Sequence, residues 1–181
     1  MPYSFDDFCA DCRNVLAADV GPGGREEVPG LLEKLLADED FVRESLGPDQ
    51  ASGRQTVYED PDTGFCVLLH RYDRDGGGTA HDHGASWAVY GQAREHTDIK
   101  VFERLDDGAG QGNANLEVRQ EFSMTPGKAV LFDVGVIHSI NFMPGGRVVR
   151  VTGCDLDRIP KLRFDLKNGK ALSWLGGPSG S

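Results

Sequence analysis

Residues 76–91 read Gly-Gly-Gly-Thr-Ala-His-Asp-His-Gly-Ala-Ser-Trp-Ala-Val-Tyr-Gly, a glycine turn followed by a His-X-His pair and an apolar, aromatic run. In a β-strand, residues i and i+2 point to the same face, so His81 and His83 would direct two imidazoles at one point. Neutral imidazole binds iron, zinc, copper and nickel. Asp82 would point to the other face. The pattern therefore predicts a metal site with His81 and His83 as two of its ligands.

A third candidate ligand, His138, lies in a second apolar segment. Residues 132–141 read Phe-Asp-Val-Gly-Val-Ile-His-Ser-Ile-Asn, a short apolar strand, a turn glycine and then a histidine that opens another β-rich run. Zinc sites with three protein ligands and an open position are catalytic, whereas structural zinc sites are closed by four ligands. We therefore predict that His81, His83 and His138 bind one divalent metal and leave room for other ligands.

The composition favours an acidic globular protein. The chain of 181 residues is long enough for one domain with a real core. Its formal net charge of −10 argues against nucleic acid and anionic membranes as partners. No apolar run is long enough to span a bilayer, and Asp6 and Asp7 interrupt the region where a signal peptide needs an apolar core. We therefore expect a cytoplasmic protein, a monomer or homodimer, whose four cysteines are thiols.

Residues 1–53 are predicted to form a helical region that packs on the outside of a β-domain. Apolar residues recur there at helical spacing, which predicts three helices, over residues 4–18, 26–37 and 40–46. Pro29 fits only the first turn of the second helix, because proline lacks the backbone N–H that an interior turn requires.

Two cysteines in the first helix, Cys9 and Cys12, form a C-x-x-C pair. Such a pair could be half of a zinc site or a redox couple. No second pair accompanies it, and both cysteines lie on the apolar stripe of the helix. We therefore predict that they pack as thiols in the core.

From Gln55 onwards the hydrophobic period changes to that of β-strands. Short apolar runs alternate with turn clusters, which predicts strands over residues 56–58, 65–72, 86–90, 99–102, 116–122, 129–132, 137–142 and 148–152. Many short strands separated by turns are typical of an all-β barrel or sandwich. We place this β-domain at residues 54–166 and expect residues 167–181 to form a C-terminal tail.

The segment from Gly76 to Gly153 resembles the cupin superfamily, a small β-barrel or jelly roll with a metal in its mouth. The run His81-Asp82-His83 matches the first cupin motif, and residues 135–138, Gly-Val-Ile-His, match the core of the second. The resemblance implies a mainly β fold, a cupin jelly roll preceded by α-helices. It also implies that the three motif histidines are the metal ligands.

The chain departs from most cupins because the glutamate ligand of the first motif is absent. Trp87 and Ala88 occupy the corresponding positions. A three-histidine site without that glutamate resembles the thiol dioxygenases, which use Fe(II) to oxidise cysteine or mercaptopropionate. The resemblance implies that Arg54, placed ahead of the first predicted strand, holds the substrate carboxylate through its guanidinium fork. The alternative is that Arg54 is a solvated charge on the surface.

Two further residues bear on the substrate. By strand alternation, Trp87 shares the face of His81 and His83 and is a candidate catalytic residue, or equally a core residue, whereas Tyr90 lies on the opposite face. His70 lies in a predicted strand, where it could face the barrel mouth. Ala88 excludes the cysteine–tyrosine crosslink of many cysteine dioxygenases, and no tyrosine follows Tyr90. We therefore expect a substrate other than cysteine.

The function that these residues predict is a cupin oxygenase that uses Fe(II) and dioxygen to oxidise a small carboxylated thiol to a sulfinate. Two alternatives stay open at this point. One is a cupin lyase or isomerase that uses zinc, manganese or nickel as a Lewis acid. The other is a cupin that binds a metal or a small ligand without catalysis.

Overall fold

The structure, a computed structural model, describes residues 3–176 and begins with three helices. These are α1 (Phe5–Ala18), α2 (Pro22–Leu36) and α3 (Glu39–Leu46). Helix α1 begins with a capping box, in which the Ser4 hydroxyl accepts a hydrogen bond from the Asp7 N–H and the Asp7 carboxylate accepts one from the Ser4 N–H. In residues 3–176, no helix is long and apolar enough to cross a membrane.

Helix α2 begins four residues earlier than predicted, at Pro22 rather than at Glu26. Pro29 therefore lies inside the helix, and its predicted place in the first turn is wrong. Pro22 suits a helix start, because the N–H that it lacks would have no partner there. Gly24 allows the close approach of the preceding helix, since a Cβ atom at this position would lie 2.1 Å from the Asp19 carbonyl oxygen.

Twelve strands follow the helices in the described residues, all of them paired in antiparallel fashion. They are β1 (Gly53–Glu59), β2 (Cys66–Arg71), β3 (Gly76–Gly77), β4 (Ala88–Arg94), β5 (Thr97–Arg104), β6 (Gly112–Asn113), β7 (Leu116–Met124), β8 (Ala129–Phe132), β9 (Ile137–Phe142), β10 (Arg147–Thr152), β11 (Lys161–Asp165) and β12 (Lys170–Trp174).

The strands form a double-sheet jelly roll, as the sequence predicts. One sheet has the order β1-β2-β10-β4-β8, and the other side consists of the sheets β3-β9-β5-β7 and β11-β12-β6. Non-consecutive neighbours such as β2 and β10 give the crossed connections of a jelly roll. The fold is therefore mainly β, a jelly roll preceded by three helices, and its sheets are not closed into a continuous barrel.

The five-stranded sheet has two buried faces, and each packs against a different partner. Its outer face contributes Val67, Leu69, Val89 and Val149 to a core shared with α1, α2 and α3. Its inner face meets β5 and β7 in a second core around Tyr90. Because both faces are covered, β2, β4 and β10 carry apolar residues at consecutive positions rather than only at alternate ones, and β2 is buried throughout.

Cys9 and Cys12 pack in the helix-facing core, which confirms their predicted position. Both are free thiols with almost no solvent exposure. Burial raises the pKa of the Cys9 thiol to about 12, and it raises the pKa of the Cys12 thiol as well. Buried thiols of this kind are inert, because the thiolate is the reactive form.

The C-terminal segment is more ordered than a tail. Strand β12 pairs along its whole length with β11, and Ala171 packs in a third core cluster with Phe164 and Phe102. Neither β11 nor β12 was predicted from the sequence. Residues 177–181 of the predicted tail lie outside the described residues, and the division of the chain into a β-domain and a tail remains a prediction.

Candidate metal centre

Three histidines that are far apart in the sequence converge inside the jelly roll. His81, His83 and His138 each offer one ring nitrogen, and these nitrogens all lie within 4.8 Å of one another. The ring centroids are separated by 4.6 Å between His81 and His138, 4.8 Å between His83 and His138, and 5.5 Å between His81 and His83. All three side chains are buried, and His138 has no solvent exposure at all.

Backbone pairing brings the two motifs together. The His81 N–H donates to the His138 carbonyl, and the His138 N–H donates to the His81 carbonyl, each with an N···O distance of 2.9 Å. On its other side, His81 forms a β-bridge to Arg163 of β11. The Phe132 ring stacks on the His138 ring with a centroid distance of 3.9 Å. The His-X-His segment is therefore held between β9 and β11.

The hydrogen bonds of the rings leave nitrogens free for a metal. The Nδ1 atom of His81 lies 2.8 Å from the Thr79 carbonyl oxygen, and Nδ1 of His138 lies 3.4 Å from the Val136 carbonyl oxygen. Because a carbonyl only accepts, each Nδ1 carries the proton, and each Nε2 keeps its lone pair. The Nε2 atom of His138 and the Nδ1 atom of His83 are buried without any hydrogen-bond partner. These residues fit a divalent metal ion.

Burial lowers the pKa of all three imidazoles below the ordinary histidine value. In His83, the neighbouring His138 and His81 lower the pKa further. The rings are therefore neutral at neutral pH, which is the form that binds metals. The described part of the chain places no Asp or Glu in this cluster, and a bound divalent metal would keep its full positive charge there.

Asp82 fixes the segment between the two first-motif histidines. Its carboxylate accepts hydrogen bonds from the Leu162 N–H at 2.8 Å and from the Gly84 N–H at 2.9 Å. The Asp82 N–H in turn donates to the Leu162 carbonyl. Asp82 thus points away from the rings, towards β11, and anchors the metal-binding segment to that strand.

The predicted position of Trp87 on the histidine face is wrong. Trp87 packs in the helix-facing core, whereas Tyr90 lies on the inner face, with its hydroxyl 3.5 Å from Nε2 of His83. The alternation is broken because the chain turns after His83: Gly84 has a φ of 61°, and the Ser86 N–H donates to the His83 carbonyl. Strand parity cannot be carried across such a turn.

The lining of a cavity of about 790 Å³ includes Arg54, His70, Tyr72, Tyr90, Phe142 and Arg150, but none of the three histidines. Tyr90 contacts His83, and Ile140, which also lines the cavity, follows His138 on the same face of β9. Tyr90 and Ile140 therefore connect this cavity to the histidine cluster.

Arg54 lies at this cavity, but an acidic side chain already occupies its guanidinium. Its Nη1 donates to Oδ1 of Asp157 at 3.1 Å, and its Nη2 donates to Oδ2 of the same carboxylate. Asp157 lies in a short 3₁₀ helix, Leu156–Arg158, that the sequence analysis did not predict. A substrate role for Arg54 stays a prediction, and the salt bridge stands against it.

Arg150 was not predicted from the sequence, whereas His70 was considered as a residue that could face the barrel mouth. Both lie on apolar strands of the five-stranded sheet, and both side chains line the cavity. A signal was present, since Arg150 interrupts the apolar run Val148-Val149-Arg150-Val151. A charged residue in such a run needs either a partner or a cavity.

Neither a protein-family model nor a curated protein sequence matches this chain. Three solved structures illustrate its distant structural similarities. The cupin domain of Cnp3 from Schizosaccharomyces pombe is 10% identical, with 60% of this chain and 66% of that chain covered and a TM-score of 0.44. A protein with a double-stranded β-helix domain from Klebsiella pneumoniae is 15% identical, with 76% of this chain and 95% of that chain covered and a TM-score of 0.41. Hydroquinone 1,2-dioxygenase from Sphingomonas sp. is 11% identical, with 61% of this chain and 71% of that chain covered and a TM-score of 0.45. The description of the fold rests on the strand order given above.

Proposed function

We propose that this chain is a metal-dependent oxygenase that holds Fe(II) through His81, His83 and His138. Its substrates are dioxygen and a small carboxylated thiol, which it converts to a sulfinate. The observation that carries the proposal is the cluster of three buried, neutral histidines with free ring nitrogens beside a cavity of about 790 Å³. Three protein ligands leave coordination positions open, as catalysis requires.

The reaction is balanced without any further reductant. Both atoms of O₂ are transferred to the sulfur, which forms two S–O bonds and loses four electrons, and O₂ gains the same four electrons. A bound Fe(II) would supply a Lewis-acidic, redox-active centre that lowers the thiol pKa and brings the two reactants together.

The residues of the chain hold and shield this centre. The Thr79 carbonyl orients the His81 ring. The stacked Phe132 ring covers one face of His138 and excludes water from it. The Tyr90 hydroxyl, 3.5 Å from a ring nitrogen of His83, is the protic group on the cavity side. The burial of the three rings strengthens the electrostatic interactions inside the site.

Metal analysis combined with oxygen uptake tests the proposal. We expect anaerobically purified, iron-loaded protein to bind one iron per chain, to consume oxygen with 3-mercaptopropionate and to release its sulfinate, detected by mass spectrometry. His138→Ala should lose both the iron and the oxygen uptake. His96→Ala is the matched control, because His96 lies on the surface with its side chain 44% exposed.

Two results would contradict the proposal. One is full iron retention by His138→Ala. The other is an iron-loaded wild-type protein that consumes no oxygen with cysteine, cysteamine, 3-mercaptopropionate or other small thiols.

A further inference from the structure

We infer that Arg150 binds the carboxylate of the substrate, and that His70 donates a second hydrogen bond to it. The inference rests on the proposed function in that the same cavity receives the substrate. It assigns the carboxylate to a residue other than Arg54, and it makes a small organic acid the preferred class of ligand.

The strand register places Arg150 on the inner face of the five-stranded sheet. It pairs with Leu68 of β2 on one side and with Tyr90 of β4 on the other. Its guanidinium carbon lies 5.9 Å from the centroid of the Tyr90 ring, and the Tyr90 hydroxyl in turn lies 3.5 Å from a ring nitrogen of His83. A group bound by Arg150 would therefore lie one side chain away from the metal centre.

Of the arginines that line this cavity, Arg74 is exposed, whereas Arg150 is half-buried and has no acidic partner in residues 3–176. Its Nε atom is buried and makes no hydrogen bond. Arg54 is paired with Asp157, and Arg71 donates to the Ser45 carbonyl. A buried charged donor without a partner is unfavourable, and an incoming carboxylate that accepts from the guanidinium removes that cost.

His70 offers a second unpartnered atom on the same wall. Its Nδ1 lies 3.1 Å from the Tyr72 hydroxyl, and its Nε2 is buried without a partner. When the Tyr72 hydroxyl donates to Nδ1, Nε2 carries the proton and can donate into the cavity. Tyr72 is held in place by stacking on Phe142, with a centroid distance of 3.6 Å.

The two unpartnered groups are close enough to share one ligand. His70 lies two residues from Leu68, the cross-strand partner of Arg150, and so faces the same side of the sheet. Burial lowers the pKa of His70, and the charge of Arg150 lowers it further, as expected for neighbours. The nearby carboxylate of Asp73 is exposed and interacts with Arg147 instead. Asp75, the other carboxylate of the lining, is exposed as well, and Arg150 has no acidic partner in the described residues.

Binding to zinc-loaded protein, measured by calorimetry, tests this inference without turnover. The probes are 3-mercaptopropionate and cysteamine, which carry a carboxylate and an ammonium group on similar short chains. We expect Arg150→Gln to weaken 3-mercaptopropionate binding roughly ten- to a hundred-fold and to leave cysteamine binding unchanged or tighter. The affinity of Arg150→Lys for 3-mercaptopropionate should lie between those of Arg150→Gln and wild type, because lysine keeps the positive charge but lacks the planar guanidinium that binds both carboxylate oxygens.

The controls separate Arg150 from the other arginines and from general damage. Arg54→Gln should change the affinity for 3-mercaptopropionate by less than about threefold, because Asp157 occupies that side chain. Arg119→Gln, on the exposed strand β7, should have no effect. His70→Gln should weaken the binding of 3-mercaptopropionate and leave the binding of cysteamine unchanged. Competition by propionate against 3-mercaptopropionate on the wild-type protein is expected as well, and it keeps the test valid if Arg150→Gln does not fold.

Three results would overturn the inference: unchanged affinity of Arg150→Gln for the acid, equal losses for both probes, or no competition by propionate. These outcomes are independent of the oxygenase proposal. A protein that binds the acid through Arg150 and consumes no oxygen would retain the carboxylate site and lose the dioxygenase function. A protein that oxidises thiols while its Arg150→Gln variant binds the acid normally would retain the dioxygenase function and lose the carboxylate site.

Discussion

Single residues decide which side chains reach the metal centre. The turn at Gly84 reverses the faces of Trp87 and Tyr90, so an aromatic residue that alternation placed beside the histidines packs under the helices instead. The pairing of Arg54 with Asp157 has a similar consequence, because it engages Arg54, whereas Arg150 has no acidic partner within residues 3–176. The first effect comes from a turn directly after the His-X-His pair, and the second from a partner more than a hundred residues away in the chain.

Asp60 illustrates how much a single buried carboxylate contributes to stability. It accepts hydrogen bonds from Arg13 at 2.6 Å, from the Tyr58 hydroxyl at 2.8 Å and from the Thr63 N–H at 2.9 Å. Burial acts to raise the pKa of Asp60, but these hydrogen bonds outweigh it and hold the pKa below its ordinary value. We expect Asp60→Asn to lower the free energy of unfolding at pH 7 by about 1–3 kcal/mol, measured by urea denaturation.

The effect of Asp60→Asn should depend on pH with a definite sign. Because the pKa is lower in the folded protein, the stabilisation by Asp60 is fully present above its unfolded value of about 3.9 and is lost as the pH falls below it. The difference between wild type and variant should therefore shrink from pH 7 to pH 3. Asp62→Asn, at an exposed neighbour of Arg13, is the control and should show little effect at either pH. A difference that stays constant with pH would contradict this account.

At the scale of elements, the helices pack closely enough to require glycine at one site. A Cβ atom at Gly24 would lie 2.1 Å from the Asp19 carbonyl oxygen and 2.7 Å from that of Val15, whereas one at Gly30 would meet nothing within 4 Å. Both glycines belong to α2. We expect Gly24→Ala to destabilise the protein by about 1–3 kcal/mol and Gly30→Ala to stabilise it by roughly 0.5–1 kcal/mol. Thermal and urea unfolding measure both, and changes of the same sign would refute the explanation.

The buried cysteines of α1 allow a second prediction at this scale. Cys9 and Cys12 lie in the helix-facing core, on the opposite side of the five-stranded sheet from the histidines. Replacing both with serine buries two hydroxyl groups in apolar surroundings, at a cost of about 1–3 kcal/mol each. We expect a lower melting temperature and an unchanged metal content by mass spectrometry. Loss of a metal equivalent would show that the pair binds metal.

At the scale of the whole molecule, metal binding should stabilise the fold. The three histidines join the first-motif segment to β9, and Asp82 joins the same segment to β11. A metal that binds only the folded state contributes about 2.7 kcal/mol when its concentration is 100 times its Kd. Removing the metal with a chelator should lower the melting temperature, and adding zinc should restore it. His138→Ala should show no such shift, whereas His96→Ala should retain it; a shift of equal size in both variants would place the metal elsewhere.

The sequence by itself determined the class of fold and the three histidines of the candidate metal site. The His-X-His spacing, the separate His138 segment and the change from helical to strand periodicity are local patterns, and local patterns are set by backbone geometry that the residues themselves dictate. For the same reason, the three helices and most strands could be predicted, with errors of a few residues at their ends. Cys9 and Cys12 were placed correctly because their helical stripe is apolar.

Only the tertiary structure decided which other residues line the cavity. The pairing of β10 with both β2 and β4 brings Arg150 to His70 and Tyr90, and no local pattern specifies such pairing between distant strands. Strands β11 and β12 were missed although charged and apolar residues alternate in β11, because these two short strands are stabilised by pairing with each other. Arg54 forms its salt bridge with Asp157, which is more than a hundred residues away in the chain. Partners of this kind form through packing and long-range hydrogen bonds, which a single sequence does not display.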